Sequence, residues 1–325
     1  MTFRTELHIP ASPWQITHKD KLLLLGSCFA DTIGERFQSA GFDVFVNPFG
    51  TLYNPASIAA VLTRLLEEKL FTPGEIIPFG AEGWGSWMSH SLLSRPTKED
   101  ALELHNSRLK EAAERLRSAN VLFVTFGTAW VYRLAETSDV VANCHHEPAS
   151  RFTRERLSVE EIVNLWQPLL ARLHTLNPGL RVIFTVSPIR HLRDGAHDNQ
   201  LSKSTLLLAV EQLQRLSDAS DQTPHVAYFP SYELLLDDLR DYRFYAEDLC
   251  HPSSVAASYV WERFVETYFD ETTRTLIARV DELTKALHHR PLHPDSSENR
   301  RFQKQTRAKL QALLNEHPYL KIAAI

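Results

Sequence analysis

Cysteine is scarce in this chain: Cys28, Cys144 and Cys250 are three in 325 residues. An odd, low count does not support a disulfide framework. His145 and His146 follow Cys144, and His251 follows Cys250. No Cys-x-x-Cys pair accompanies them, as a zinc site would prefer, so no metal is expected. Small apolar thiols packed under a site account for the pattern. Long apolar runs are missing too. The longest near-apolar stretch, Val121 to Tyr132, is too short to span a bilayer. Residues 1–20 lack the apolar core of a signal peptide, so a cytoplasmic protein without a membrane span is expected. Basic patches are missing as well. The net charge is −5 and no basic stripe is interleaved with aromatics, which argues against a nucleic-acid partner. Neither G-x-x-x-x-G-K-[ST] nor G-x-G-x-x-G occurs, so no nucleotide cofactor is implied. The G-x-S-x-G elbow of α/β-hydrolases is also absent.

Against these absences stands Lys21-Leu22-Leu23-Leu24-Leu25-Gly26-Ser27-Cys28-Phe29-Ala30. Four consecutive leucines read as a strand buried on both faces, as in a parallel sheet. The run stops at Gly26, and a helical pattern begins at once with Phe29, Ile33 and Phe37. Ser27 thus falls between a strand end and a helix N-terminus, the edge where open α/β sheets bind ligands. Free N–H groups and the dipole there suit a developing oxyanion. The plainer reading of Ser27 is a helix N-cap. Far downstream, Asp248 and His251 are three residues apart in Tyr245-Ala246-Glu247-Asp248-Leu249-Cys250-His251-Pro252-Ser253. A carboxylate on the same side of a turn can orient an imidazole that serves as general base. Ser253 can cap the next helix.

Taken in order, strands are expected at 21–25, 42–46, 121–125, 181–186 and 225–230, with helices between them, beginning near residues 28, 55, 98, 158 and 203. Alternating strands and helices imply a parallel sheet between two helical layers. Ser202 is read as the cap of the 203–217 helix, after a polar loop from His191 to Ser202. Residues 70–97, rich in Gly, Pro, Trp and Ser, read as a long loop or small lid. Residues 130–142 read as a hairpin insertion. Beyond Asp270 two charged amphipathic helices, 272–289 and 297–317, joined through Arg290–Pro294, form an extension that either packs on the core or supports a homo-oligomer.

Gly26-Ser27-Cys28-Phe29-Ala30 resembles the signature of the GSCFA family, a bacterial branch similar to the SGNH (GDSL-like) hydrolases. Further blocks that carry the resemblance are Asn47–Pro55, Thr125–Tyr132, Asn143–His145, Val186–His191 and Asp248–Pro252. The resemblance implies a three-layer α/β/α, flavodoxin-like domain over residues 1–270, with a central, mostly parallel five-stranded sheet and an extension over 271–325. It implies an esterase with an acyl-enzyme intermediate and no cofactor, acting on a small-molecule or glycan-like acyl ester. Ser27 would be the nucleophile, His251 the base and Asp248 its orienter. The oxyanion donors would be the Ser27 N–H and the Gly50 N–H. The superfamily's third donor, an Asn in a G-x-N-D block, is missing from Gly127-Thr128-Ala129-Trp130. Thr128, Asn47 and Asn143 are the replacements considered. Cys28 competes with Ser27 as nucleophile, because helix N-termini favour thiolates. Trp84, Trp87, His90 and Trp130 are candidates to contact substrate, although Trp84 and Trp87 would also serve to cover the core edge. His145 and His191, each beside a motif block, complete that set and are the alternative bases. An acyltransferase using the same site, or a non-catalytic sugar- or acyl-binding domain, would share these features.

Overall fold

The structure is a computed structural model that describes residues 5–221, 223–288 and 296–322. In chain order the strands are β1 (Lys21–Gly26), β2 (Asp43–Val46), β3 (Ile77–Pro78), β4 (Trp84–Gly85), β5 (Val121–Phe126), β6 (Trp130–Leu134), β7 (Val140–Val141), β8 (Phe152–Arg156), β9 (Arg181–Val186) and β10 (His225–Tyr228). The helices are α1 (Cys28–Ser39), α2 (Pro55–Glu67), α3 (Lys98–Ser118), α4 (Val159–Leu176), α5 (Ala196–Asp218), the single turn α6 (Ser231–Glu233), α7 (Ser254–Tyr268), α8 (Glu271–His288) and α9 (Ser297–Glu316).

Five parallel strands form the central sheet in the order β10-β9-β5-β1-β2. The order reverses between β1 and β5, which makes the C-terminal ends of those two strands the switch point where such sheets open a crevice. The leucine run explains the layers. Leu22 and Leu24 pack with α1 and α7, while Leu23 and Leu25 pack with α2, α3, α4 and α5. Alternate side chains of one strand thus feed two apolar layers, as its period of two requires. Asn54 caps α2 by accepting from the Ser57 N–H at 2.8 Å, with Pro55 as the first helical residue. Ser253 caps α7, as its position suggested.

Three local readings are revised. The hairpin expected over 130–142 is present as β6 and β7, and β8 extends it to a three-stranded antiparallel sheet, β7-β6-β8. The extra strand, Phe-Thr-Arg-Glu-Arg, is mostly exposed and lacks the apolar alternation that would have marked it. Helix α5 begins at Ala196, so Ser202 lies inside it and caps nothing. The segment read as a lid is fastened down. His90 donates its N–H to the Phe49 carbonyl, the Ala142 N–H donates to the Trp87 carbonyl, and Trp84 pairs with Arg95. At the other end, α8 and α9 pack around Leu276, Val280, Leu313 and Leu320, and the Lys321 N–H reaches the Gly41 carbonyl at 2.9 Å. The expected Arg290–Pro294 connection lies outside the described residues. No helix among the described residues is long and apolar enough to cross a membrane.

Candidate active site

Gly26 turns the chain out of β1 with φ +143°, and a Cβ there would lie 2.2 Å from the Thr125 carbonyl oxygen. Only glycine allows β1 and β5 to approach so closely at this edge. Ser27 follows with extended backbone, φ −67° and ψ 172°. It is 1% exposed, and its Oγ has no hydrogen-bond partner, not even a capping one. Cys28, the first residue of α1, faces the opening instead.

The second half of the site is a tight turn after α6. The Asp248 carboxylate accepts from the backbone N–H groups of Cys250 and His251, each at 2.9 Å. Its other oxygen meets His251 Nδ1 at 2.5 Å. These bonds fix the turn and the ring together, with Leu249 in left-handed backbone at φ +58°. The same backbone N–H groups, His251 first, hold the Asp248 carboxyl down to about 2. With Nδ1 committed to Asp248, Nε2 is the free end of the imidazole, and it lies 3.8 Å from Cys28 Sγ. The Asp248–His251 pair expected from sequence is thus formed, and the side chain its free nitrogen meets is Cys28, while Ser27 Oγ has no hydrogen-bond partner. Burial, followed by the Asp31 carboxylate, raises the Cys28 thiol's pKa, while the Cys28 and Phe29 N–H groups at the helix start favour its thiolate.

The expected oxyanion donors are mostly committed elsewhere. The Ser27 N–H donates to the Thr125 carbonyl at 3.1 Å and the Gly50 N–H to that of Asn47 at 2.8 Å. Asn47 is a clamp. Its Oδ1 accepts from the Gly26 N–H and its Nδ2 donates to Asp31. The Thr128 hydroxyl pairs with Ser202 and accepts from the Trp130 N–H. Asn143 lines the cleft while its Oδ1 accepts from the His145 N–H. Asn54, the cap of α2, also lines the cleft.

The cleft beside Cys28 and His251 has a volume of about 460 Å³. Tyr53, Trp130, Tyr132, Cys144, Arg154, Arg190, His191 and Arg193 help to line it. Burial first, then the positive charges of Lys203, Arg154 and His251, push the His191 pKa down to about 4. Below the cleft Lys203 is fully buried, donating to the carbonyls of Gly127 at 2.6 Å and Ser187 at 2.7 Å. It ties the ends of β5 and β9 together, and burial pulls its pKa down to about 7.

The sequence model of the GSCFA family matches residues 21–264. The chain belongs to the GSCFA family. The model described as the GSCFA domain protein C-terminal domain matches residues 280–324. Among solved structures, a carbohydrate esterase family 3 protein from Talaromyces cellulolyticus aligns at 12% identity over 81% of this chain and 99% of that one, with a TM-score of 0.35. An acetyl xylan esterase from the rumen bacterium Butyrivibrio proteoclasticus aligns at 11% identity over 80% of this chain and 64% of that one, with a TM-score of 0.40. Comparison with curated proteins finds no match.

The GSCFA motif blocks thus meet at the switch point, but not every expected residue reaches the cleft. Trp130 and His191 do. Trp84, Trp87, His90 and His145 do not line it. His145 is a buried tie, its Nδ1 meeting Glu82 at 2.9 Å and its Nε2 the Ser86 carbonyl at 3.1 Å, with its ring stacked on Phe79. Trp87 packs edge-on to Phe79, and Trp84 sits under Lys98. His90 is held beside Gly50 by the Phe49 carbonyl. Sequence reasoning does not single out Lys203, Arg190 or Asn54 as part of the site. Arg190 stands within a motif block, Val186–His191, which is the signal that could have found it, while nothing in the local pattern marks Lys203.

Proposed function

We propose that this GSCFA protein cleaves acyl esters, or passes their acyl group to an alcohol, through a thioester on Cys28. The observation that carries the reading is the chain of contacts from Asp248 Oδ2 to His251 Nδ1 at 2.5 Å, and from His251 Nε2 to Cys28 Sγ at 3.8 Å. In the first step Nε2 takes the thiol proton while Sγ attacks the acyl carbon. Asp248 favours the imidazolium that results. The proton then passes to the departing alkoxide as the carbon–oxygen bond breaks, leaving a thioester and a free alcohol. In the second step water, or a second alcohol, loses a proton to Nε2 and attacks the thioester, and Sγ leaves with the proton returned. The net reaction is ester plus water to acid plus alcohol, or an exchange of alcohols. Burial and the Asp31 carboxylate raise the Cys28 pKa, so the resting group is the thiol and His251 must take its proton during attack. Further support comes from Ser27, whose hydroxyl is buried and has no partner.

Mass spectrometry of the protein quenched during turnover of an activated ester tests this. The expected result is an acyl group on the Cys28 peptide, released by neutral hydroxylamine, lost in Cys28→Ala and kept in Ser27→Ala. The reverse pattern would move the nucleophile to Ser27. No adduct and no turnover across a broad ester panel would leave a binding domain, with Trp130 and Tyr132 as its aromatic floor.

A further inference from the structure

The walls of the cleft carry more positive charge than their own contacts neutralise. Asp194 is the one carboxylate among the residues lining it, and Asp194 pairs with Arg154. Arg154 in turn lies over the Trp130 ring, 4.3 Å from its centroid. Arg190 and Arg193 also line the cleft, and neither guanidinium forms an ion pair or hydrogen bond among the described residues. Arg190 is the more telling of the two, because its Nε is buried and meets no acceptor. A buried N–H without a partner costs free energy, and such groups in folded proteins are few and call for a cause. Arg190 sits on the loop leaving β9, one residue before His191, which itself lies on the cleft wall. A guanidinium in that position presents a planar fork of donors suited to two oxygens of one anion.

We infer that the acyl ester accepted by this cleft carries an anionic group, a carboxylate or a phosphate, held by Arg190 with Arg193 at the mouth. The inference rests on the reading of the cleft as the acyl-transfer site, since it assigns the remainder of the molecule that is cut there. Arg190 supplies the close contact. Arg193, which is exposed, adds to the field that draws an anion in. The neutral His191 between them adds no competing charge.

Cys28 is itself the probe. Iodoacetate and iodoacetamide differ in charge and little in shape, and both alkylate thiols. Their rates at Cys28 are followed by peptide mass spectrometry in a Cys144→Ser background, and the ratio is compared with that of free cysteine. The expected outcome is a shift toward iodoacetate of about tenfold or more, shrinking in high salt, as for a charge-steered encounter. In Arg190→Gln/Arg193→Gln the ratio returns to the free-thiol value, and in Arg190→Lys with Arg193 intact it is partly kept. A wild-type ratio equal to that of free cysteine, or one unmoved in the double variant, overturns the inference. The ratio requires no turnover. A protein inert toward every ester but still selecting iodoacetate would lose the esterase reading and keep the anion site. Should neither reagent reach Cys28, calorimetry with methyl hydrogen succinate and with methyl phosphate decides. Binding of either one that disappears in the double variant supports the inference and shows which anion is meant. Binding of neither overturns it.

Discussion

Lys203 Nζ lies 2.6 Å from the Gly127 carbonyl oxygen, in a fully buried position beneath the cleft. A neutral amine retains two N–H donors, enough for both Gly127 and Ser187. The interaction therefore does not depend on charge, and burial pulls the pKa down to about 7. The unfolded chain binds the proton more tightly, so between about 7 and the ordinary lysine value of 10.5 folding gains stability as pH rises. Lys203→Met should cost about 2 to 5 kcal/mol by orphaning two buried carbonyls. The wild-type advantage should widen with pH, by at most ~1.4 kcal/mol per unit. Urea unfolding of both proteins from pH 6.5 to 9.5 measures this, and a constant difference across that range would contradict it.

Asp248 should be needed for rate and not for folding. Its carboxyl is held down to about 2, so it stays ionised at any pH where the protein would be assayed. The stability it contributes is present above the ordinary carboxylate range and lost only as pH falls through about 2. In Asp248→Asn the amide oxygen can still accept the Cys250 and His251 N–H groups, but the imidazole loses its anionic partner. Turnover of an activated ester should fall by about two to four orders of magnitude, with the thermal midpoint almost unmoved. Wild-type turnover by this variant would remove the dyad from the mechanism.

Two glycines with positive φ should behave differently. Gly195, at φ +81°, has nothing within 4 Å of the position a Cβ would take, so Gly195→Ala is charged with backbone strain alone, about 1 to 3 kcal/mol. Gly26→Ala adds a collision with the Thr125 carbonyl at 2.2 Å, between two central strands. It should exceed that range and prevent accumulation of folded protein. Urea midpoints, or the soluble yield where none can be measured, separate the two.

His145→Leu separates scaffold from substrate contact. The change removes the bonds to Glu82 and the Ser86 carbonyl from a side chain that is 1% exposed. A loss of roughly 2 to 4 kcal/mol in stability is expected, with kcat/KM per folded molecule within about twofold of wild type. A rise in KM at unchanged stability would instead return His145 to the cleft.

Much of this arrangement was legible in the sequence. The leucine run, the glycine that stops it and the helical spacing behind it located the switch point, because buried parallel strands carry a continuous apolar signal. The Asp248–His251 pair was legible because a three-residue turn brings the two side chains together without help from the rest of the fold. The choice between Ser27 and Cys28 was not. It depends on which side chain stands within reach of His251, a contact made across 223 positions of sequence. The start of α5 was hidden for a related reason. The helix buries Asn199, Ser202 and Lys203 beneath the cleft, so its inward face reads as a polar loop. Strand β8 was hidden by exposure, being built of charged residues that face solvent. Trp87, in the 70–97 segment, and His145, in a motif block, offered polar-tipped rings for a cleft, yet both pack on Phe79, Trp87 edge-on and His145 stacked.

The two groups that meet in the cleft are 223 positions apart in the chain. At a ribosomal pace of about 5 to 20 residues per second, His251 is made roughly 11 to 45 s after Cys28. Throughout that interval the nascent chain carries a thiol with no base beside it. β9, β10 and the Asp248 turn must all be laid down before the cleft can close around it. Acyl transfer would therefore begin only with the last part of the sheet domain, and a chain released early would leave Cys28 as an ordinary cysteine.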